Sequence, residues 1–453
     1  MNKISLAIIA ASFSLTVFAQ NGINSPYSRY GFGIQSERAM GFNKGMGGVA
    51  QGFRNGQQIN IANPASYSEV DSLTALFDLG LSLQNGNYKM PNVQQNIRNT
   101  SFDYFAFQFR AAKHVGMTLG LMPITNIKYN FASSSENLEG TENITSSYSF
   151  NGDGGLREVF LGIGWKPFSP ISIGINTGYI WGDYTHNMSM TFSESSAFNM
   201  RRTYSADIRT YNLQGGIQYI QPLNKADKLV IGATYTFGHN INKEAYRNTA
   251  TLNSSTIETQ TIDTIKNAFQ LPHAVSAGIT YYHSNRLRVG ADYEIQKWGK
   301  CKFPNQQTSL SSTSSGSSEA YTATSGQLYD RTKISAGLDW TPNPNPVRRN
   351  YFKRCTYKIG GYFAKTYANA DVTGTITQKP YELGVSAGIS MPIYNRWIWH
   401  NSPRINISAQ WVHTNIPYLN TTTLQKNTLT ENYLKLCIGV TFSERWFYKY
   451  KVQ

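Results

Sequence analysis

Charge is scarce in this chain. Asp, Glu, Lys and Arg make up only 15% of 453 residues, where soluble proteins carry about 25%, so the sequence does not read as a string of soluble domains. Long apolar runs are also missing. Beyond the N-terminus there is no apolar stretch of about 18 or more residues, which excludes a bundle of membrane helices. Cysteine is confined to Cys301, Cys355 and Cys437, an odd number scattered along a long chain, which argues against a disulfide framework. The net charge of +15 comes from dispersed Lys and Arg, so nucleic acid is not expected as a partner. Basic residues near membrane rims would instead meet lipid phosphates. The seven histidines are dispersed, and neither a His-Glu-x-x-His zinc site nor a phosphate-binding glycine loop occurs. No catalytic residue, metal or cofactor is expected, and the chain does not read as an enzyme.

Aromatics and glycine, by contrast, are plentiful: Tyr 29, Phe 23, Trp 8 and Gly 38. Lys3, the apolar stretch Ile4 to Phe18 and the small-residue site Val17-Phe18-Ala19 read as a secretory signal over residues 1–19. No cysteine follows at the cleavage site, so a lipoprotein is not expected.

From about residue 73 the pattern has period two, as in a strand with one apolar face. Ala75, Phe77, Leu79, Leu81 and Leu83 alternate with small or polar residues, and Leu434, Leu436, Ile438, Val440 and Phe442 do the same near the C-terminus. Such segments run at 73–89, 99–112, 114–131, 153–167, 169–190, 204–222, 226–248, 268–284, 285–300, 326–341, 350–368, 380–394, 402–416 and 428–446. Connections alternate between long polar loops, one with a Ser/Thr tip at Thr308 to Ser318, and short turns. Backbone groups in lipid need a closed sheet. The expectation is therefore an all-β, antiparallel transmembrane barrel of about fourteen strands over 73–453 in the outer membrane of a Gram-negative bacterium. Both termini would be periplasmic and the long loops extracellular. Trp165, Tyr179, Trp181, Trp340, Trp397, Trp399, Trp411 and Trp446 would form the aromatic girdles.

Residues 20–72 do not alternate. They carry Met46-Gly47-Gly48-Val49-Ala50 and the turn Asn63-Pro64-Ala65, and a segment of this kind before a barrel too wide to fill itself is expected inside the lumen as a plug, or hatch. These motifs, followed by fourteen alternating segments, resemble the FadL family of outer-membrane transporters for long-chain fatty acids and other hydrophobic compounds, in the branch found in Bacteroidetes-type bacteria. The resemblance implies an N-terminal hatch with Gly47, Gly48, Asn63 and Pro64 as its motif residues, and an inward kink in the third strand. Pro123 falls in that strand, where its missing N–H suits either a lateral kink or a simple bulge near one rim.

Charges expected to face inward are Asp78, Arg110, Arg288, Asp292, Glu294, Lys333, Asp339, Glu382 and Lys435. Their mixed signs suit pairs with hatch residues Arg29, Glu37, Arg38, Lys44 and Arg54. Inward apolar residues Leu76, Met122, Ile124, Phe160, Tyr282 and Tyr362 would either line a ligand pocket or pack on the hatch. Cys301 and Cys355 are expected at opposite ends of the barrel, too far apart to pair. Two functions follow from the resemblance. One is passive uptake of a hydrophobic small molecule such as a long-chain fatty acid, with outer-membrane lipid and lipopolysaccharide around the wall. The other is a non-transporting accessory subunit of a larger protein-secretion or barrel-assembly complex, with other outer-membrane proteins or lipoproteins as partners.

Overall fold

A computed structural model describes residues 24–90, 93–132, 136–137, 144–194, 196–253, 256–306, 320–344, 350–369, 378–393, 403–419 and 426–445. The signal segment, the Ser/Thr tip, Trp397, Trp399 and Trp446 lie outside the described residues.

The wall is a closed antiparallel barrel of fourteen strands. These are β1 (Thr74–Met90), β2 (Val93–Ala112), β3 (Val115–Pro123, continued as Thr125–Ala132), β4 (Thr145–Phe168), β5 (Ile171–Phe192), β6 (Asn199–Pro222) and β7 (Asp227–Thr236). They are followed by β8 (Ala274–His283), β9 (Leu287–Gln296), β10 (Arg331–Trp340), β11 (Thr356–Lys365), β12 (Tyr381–Pro392), β13 (Arg404–Leu419) and β14 (Lys426–Arg445). Each strand pairs with the next, and β14 closes on β1 from Thr74 opposite Arg445 to Lys89 opposite Thr430. Closure pairs the backbone around the wall, as a sheet in hydrocarbon requires, except along β2 before Phe105, which has no partner on the β3 side among the described residues. Period two sorts the side chains: Leu81, Leu83, Leu161, Ile163, Ile231 and Leu434 face outward and are exposed, whereas Ser82, Asn176, Gln218 and Ser386 face inward and are buried. Among the described residues no helix is long and apolar enough to cross a membrane.

The expected segments correspond one to one with the wall strands, with one internal correction. The alternation over 226–248 is not a single strand. β7 ends at Thr236, and Ala245–Asn253 pairs instead with the upper part of β6 and with Thr256–Ile265, forming a hairpin above the wall. Alternation continues through Tyr235 and Phe237, so periodicity alone does not mark where the chain leaves the barrel.

β3 is broken at Pro123. Below it, β3 pairs with β2 as far as Phe105 opposite Leu121; above it, Thr125–Ala132 keeps its pairing with β4 but not with β2. The freed edge is taken by Ile34–Gln35 of the N-terminal segment, with Ile34 opposite Asn126 and Gln35 opposite Thr125. Pro123 therefore marks a departure of the strand from the wall, well away from the short turn at His114.

Residues 24–72 pack against inward-facing side chains and glycines of the wall. They form short 3-10 turns at Pro26–Arg29 and Pro64–Glu69 and one helical turn at Gly41–Lys44. Asn63 caps the second 3-10 turn, its side chain accepting from the Ala65 N–H at 3.1 Å with Pro64 at the first position.

Candidate functional site

The interface between this inner segment and the wall is the most elaborated site in the molecule. Wall glycines let backbone meet backbone: a Cβ on Gly232 would stand 1.8 Å from the Gln51 carbonyl oxygen, one on Gly174 2.4 Å from Pro64, and one on Gly360 2.2 Å from the Met46 carbonyl carbon. Gly47 adopts φ +67° where it crosses Gly361, a left-handed backbone that favours glycine.

Polar groups lock the same interface. The buried guanidinium of Arg54 donates to Glu69, Ser68 and the Ala65 carbonyl within the inner segment, and to Ser172 (2.7 Å) and Gln218 (2.9 Å) of the wall. One Asp292 oxygen accepts from the backbone N–H groups of Ala50 and Gln51, at 2.6 and 2.9 Å. Glu37 pairs with Lys333 at 3.0 Å and Arg38 with Glu158 at 2.6 Å, while Lys44 pairs with Asp103. Burial alone would lift the Glu37 carboxyl, but the ammonium groups of Lys333, Lys435 and Lys44 hold it down at about 2.

Several expected inward charges are used within the wall instead: Arg288 pairs with Asp339, Glu294 with Arg331, and Glu382 accepts from Tyr362. Asp78 accepts from Tyr104 and Thr441, and Arg110 donates to Ser72. Arg29 lies over the Phe150 ring at 4.0 Å. Sequence reasoning missed Asp103 and Glu158. Glu158 was readable, being two residues from Phe160 and so on the same face; Asp103 sits where the β1–β2 register shifts at Gly80/Leu81, which disturbs the parity.

The apolar candidates divide by level. Leu76, Met122 and Phe160 pack with Phe42, Phe53, Ile59, Ile61 and Val70 of the inner segment. Tyr282 accepts from the Arg54 N–H at 2.6 Å, and Lys333 stands 4.1 Å over the Tyr362 ring. Ile124, in the β3 break, packs against a second cluster toward the long-loop end. There Phe32 is surrounded by Tyr184, Phe269, Trp298 and Phe303, with ring centroids 5.1 Å apart for Phe32 and Phe303. The side chains of Trp298, Cys301 and Phe303, in the loop after β9, thus join this apolar cluster toward the long-loop end.

Cys301, Cys355 and Cys437 are free and buried. Cys301 follows the long-loop end of β9 and Cys355 precedes β11 at the short-turn end, so the two lie at opposite ends. One motif escaped sequence reading: Gly384-Val385-Ser386-Ala387-Gly388 has the letters of a hydrolase nucleophile elbow. It runs straight through β12, and Ser386 accepts from Gly47 N–H and donates to the Gly360 carbonyl, whereas an elbow needs a sharp strand-to-helix turn. Among the described residues no group of three His, Cys, Asp or Glu side chains is placed to hold a metal.

A family described as BamG matches residues 1–453. The chain belongs to the BamG family. No curated protein matches it in sequence. Solved structures with the same fold include the toluene transporter TodX of P. putida, at 14% identity, covering 92% of this chain and 100% of that one with a TM-score of 0.56. A Pseudomonas aeruginosa FadL homologue matches at 10% identity over 90% and 99% of the two chains, with a TM-score of 0.59. The monoaromatic hydrocarbon channel CymD matches at 12% over 92% and 100%, with a TM-score of 0.55. This BamG-family chain therefore has the FadL-like fold of outer-membrane channels for hydrophobic compounds.

Proposed function

We propose that the chain is a hatch-sealed outer-membrane barrel that serves as a non-transporting accessory subunit of a larger complex for protein secretion or barrel assembly. In this reading residues 1–19 are a signal peptide, 20–72 the hatch and 73–453 the barrel, with both termini periplasmic and the long loops outside. The observation that supports it is the contact between residues 24–72 and the wall, where backbone meets glycine, Lys44 and Asp103 form a buried ion pair, and aromatic side chains cluster. A barrel built this way presents its outside surfaces as its working parts. The hairpin Ala245–Asn253/Thr256–Ile265 supports the reading, because Thr256–Ile265 pairs along one edge only among the described residues and a free strand edge is a template for another chain. Membership of a family named apart from the hydrocarbon channels fits as well. The test is mass spectrometry of proteins and lipids on the tagged protein released from its native membrane in mild detergent. A stoichiometric set of other barrels or lipoproteins is the expected result; a lone barrel carrying a stoichiometric apolar molecule would overturn it.

A second reading has its own observation. The departure of β3 at Pro123 is a lateral break of the kind the FadL resemblance implies for passive uptake of hydrophobic compounds, long-chain fatty acids among them. Leu76, Met122, Ile124, Phe160, Tyr282 and Tyr362 would then form the route once the hatch shifts. Replacing Pro123 with Ala should slow uptake of a labelled fatty acid in this reading, and an unchanged rate would count against the gate.

A further inference from the structure

The outward face of β7 to β11 carries an apolar groove of about 570 Å³. Its floor is made of small residues, Gly290 and Ala291 on β9, with Ala291 opposite Ala336, then Gly337 on β10 and Gly360 on β11. Larger side chains stand on both sides: Val289, Leu338 and Ile359 toward the short-turn end, Tyr293, Ile334 and Phe363 toward the other. Directly below, at the short-turn end of the same strands, lies a polar cavity of about 700 Å³ between the β8–β9 turn and the β10–β11 connection, lined by His283, Ser284, Arg286, Asn343 and Lys353 among others. Backbone bonds fix its walls: Thr341 N–H donates to the Arg286 carbonyl and Asn343 N–H to the Lys353 carbonyl, both at 2.7 Å.

Arg286 and Lys353 are exposed and form no ion pair with a carboxylate among the described residues. The nearby acid, Asp227, is engaged by His283 at 2.6 Å. Between cavity and groove runs an aromatic row, Trp340 beside Tyr357, with Phe352 67% exposed at the rim, as at a membrane interface. From His283 at the rim to Ile279 in the groove is four residues, about 13 Å of strand, close to the roughly 15 Å of one leaflet's hydrocarbon.

We infer that this face is a binding site for one anionic phospholipid, whose phosphate sits between Arg286 and Lys353 and whose acyl chain lies in the Ala291–Ala336 groove. Two unpaired cations call for an anion, and the apolar groove that starts at Tyr281, two residues above His283, and reaches Ile279 within about one chain-length calls for that anion to be a lipid. With the short turns toward the periplasm, as proposed above, it belongs to the periplasmic leaflet. The site is independent of what the barrel does in the cell.

The test is native mass spectrometry of the full barrel, with phosphatidylglycerol or phosphatidylcholine added to the detergent. One phosphatidylglycerol per barrel should be retained in preference to phosphatidylcholine. The variant Arg286→Gln/Lys353→Gln should bind it about thirtyfold more weakly, at about 1 kcal/mol for each cation. Ala336→Phe should weaken binding by filling the groove while leaving both cations in place. These sites are on the outer surface, and gel mobility before and after heating confirms that each variant has folded. Undiminished binding by the charge variant would overturn the site. So would equal competition by glycerophosphate, which lacks acyl chains and would mean that the rim holds phosphate alone.

Discussion

At the scale of single residues, the wall glycines make the sharpest claim. In Gly360→Val the added Cβ would meet the hatch backbone at 2.2 Å, and neither backbone can yield without moving the Met46–Gly47 crossing. Overpacking of this kind costs about 1–3 kcal/mol or more, so the folded barrel should convert to the unfolded band at a lower temperature on a heat-modifiability gel. Gly215→Ala is the matched control, since a Cβ there meets nothing within 4 Å; a drop as large as that of Gly360→Val would remove the hatch contact as the cause. Arg54→Ala should cost about 1–3 kcal/mol by leaving the buried Ser172, Gln218 and Ala65 acceptors unmatched. Arg54→Lys should recover little of this, because an ammonium cannot reproduce the forked set of donors. Both are read from the same heating gels. Glu37 adds a pH dependence. Its carboxyl lies near 2 in the folded barrel against an ordinary 4.5, so its contribution is present above about 4.5 and is lost as pH falls toward 2. Glu37→Gln should flatten the dependence of melting temperature on pH across that window.

At the scale of elements, the break in β3 and the strand that fills it are coupled. Ile34 opposes Asn126 directly, and directly opposite residues in an antiparallel pair hold their Cα atoms about 4.5–5.5 Å apart, within the roughly 4.4–6.8 Å that a disulfide spans. Ile34→Cys/Asn126→Cys should therefore cross-link under mild oxidation, seen as a reducible mobility shift, whereas failure to cross-link would refute this pairing. The linked barrel also separates the two functional readings. Recovery of partner proteins should be unaffected by it, while uptake past a moving hatch strand should stop. The break was visible in the sequence as Pro123, because proline removes a ladder donor; the hatch strand was not, because Ile34-Gln35 is too short to show a period. Asn63-Pro64 was legible for a related reason, a side-chain cap and a fixed φ being local properties. The partners of Arg54 and Lys44 were not legible, since they depend on where a non-periodic segment lies across the lumen.

At the scale of the whole molecule, what was readable is what the surroundings impose on every strand. Lipid outside and a packed interior force period two from Ala75 to Phe442, and the strand count follows from that. The loop side obeys no such rule, which is why the alternation near Phe237 ran on past the wall. The same contrast sets the last prediction, which concerns permeability. A fourteen-strand barrel with an empty lumen would pass ions. In the hatch reading proposed above the cross-section is occupied by residues 24–72, which contact β4 through Glu158, β9 through Asp292 and β10 through Lys333. Purified protein in a planar bilayer should accordingly show no large steady openings. Gly360→Val, which pushes the hatch from its seat while leaving the wall ladder intact, should bring intermittent conductance. Steady porin-like current from the unmodified protein would mean that the inner segment does not seal the lumen, and with it the case for a barrel that works through its outer surfaces would fall.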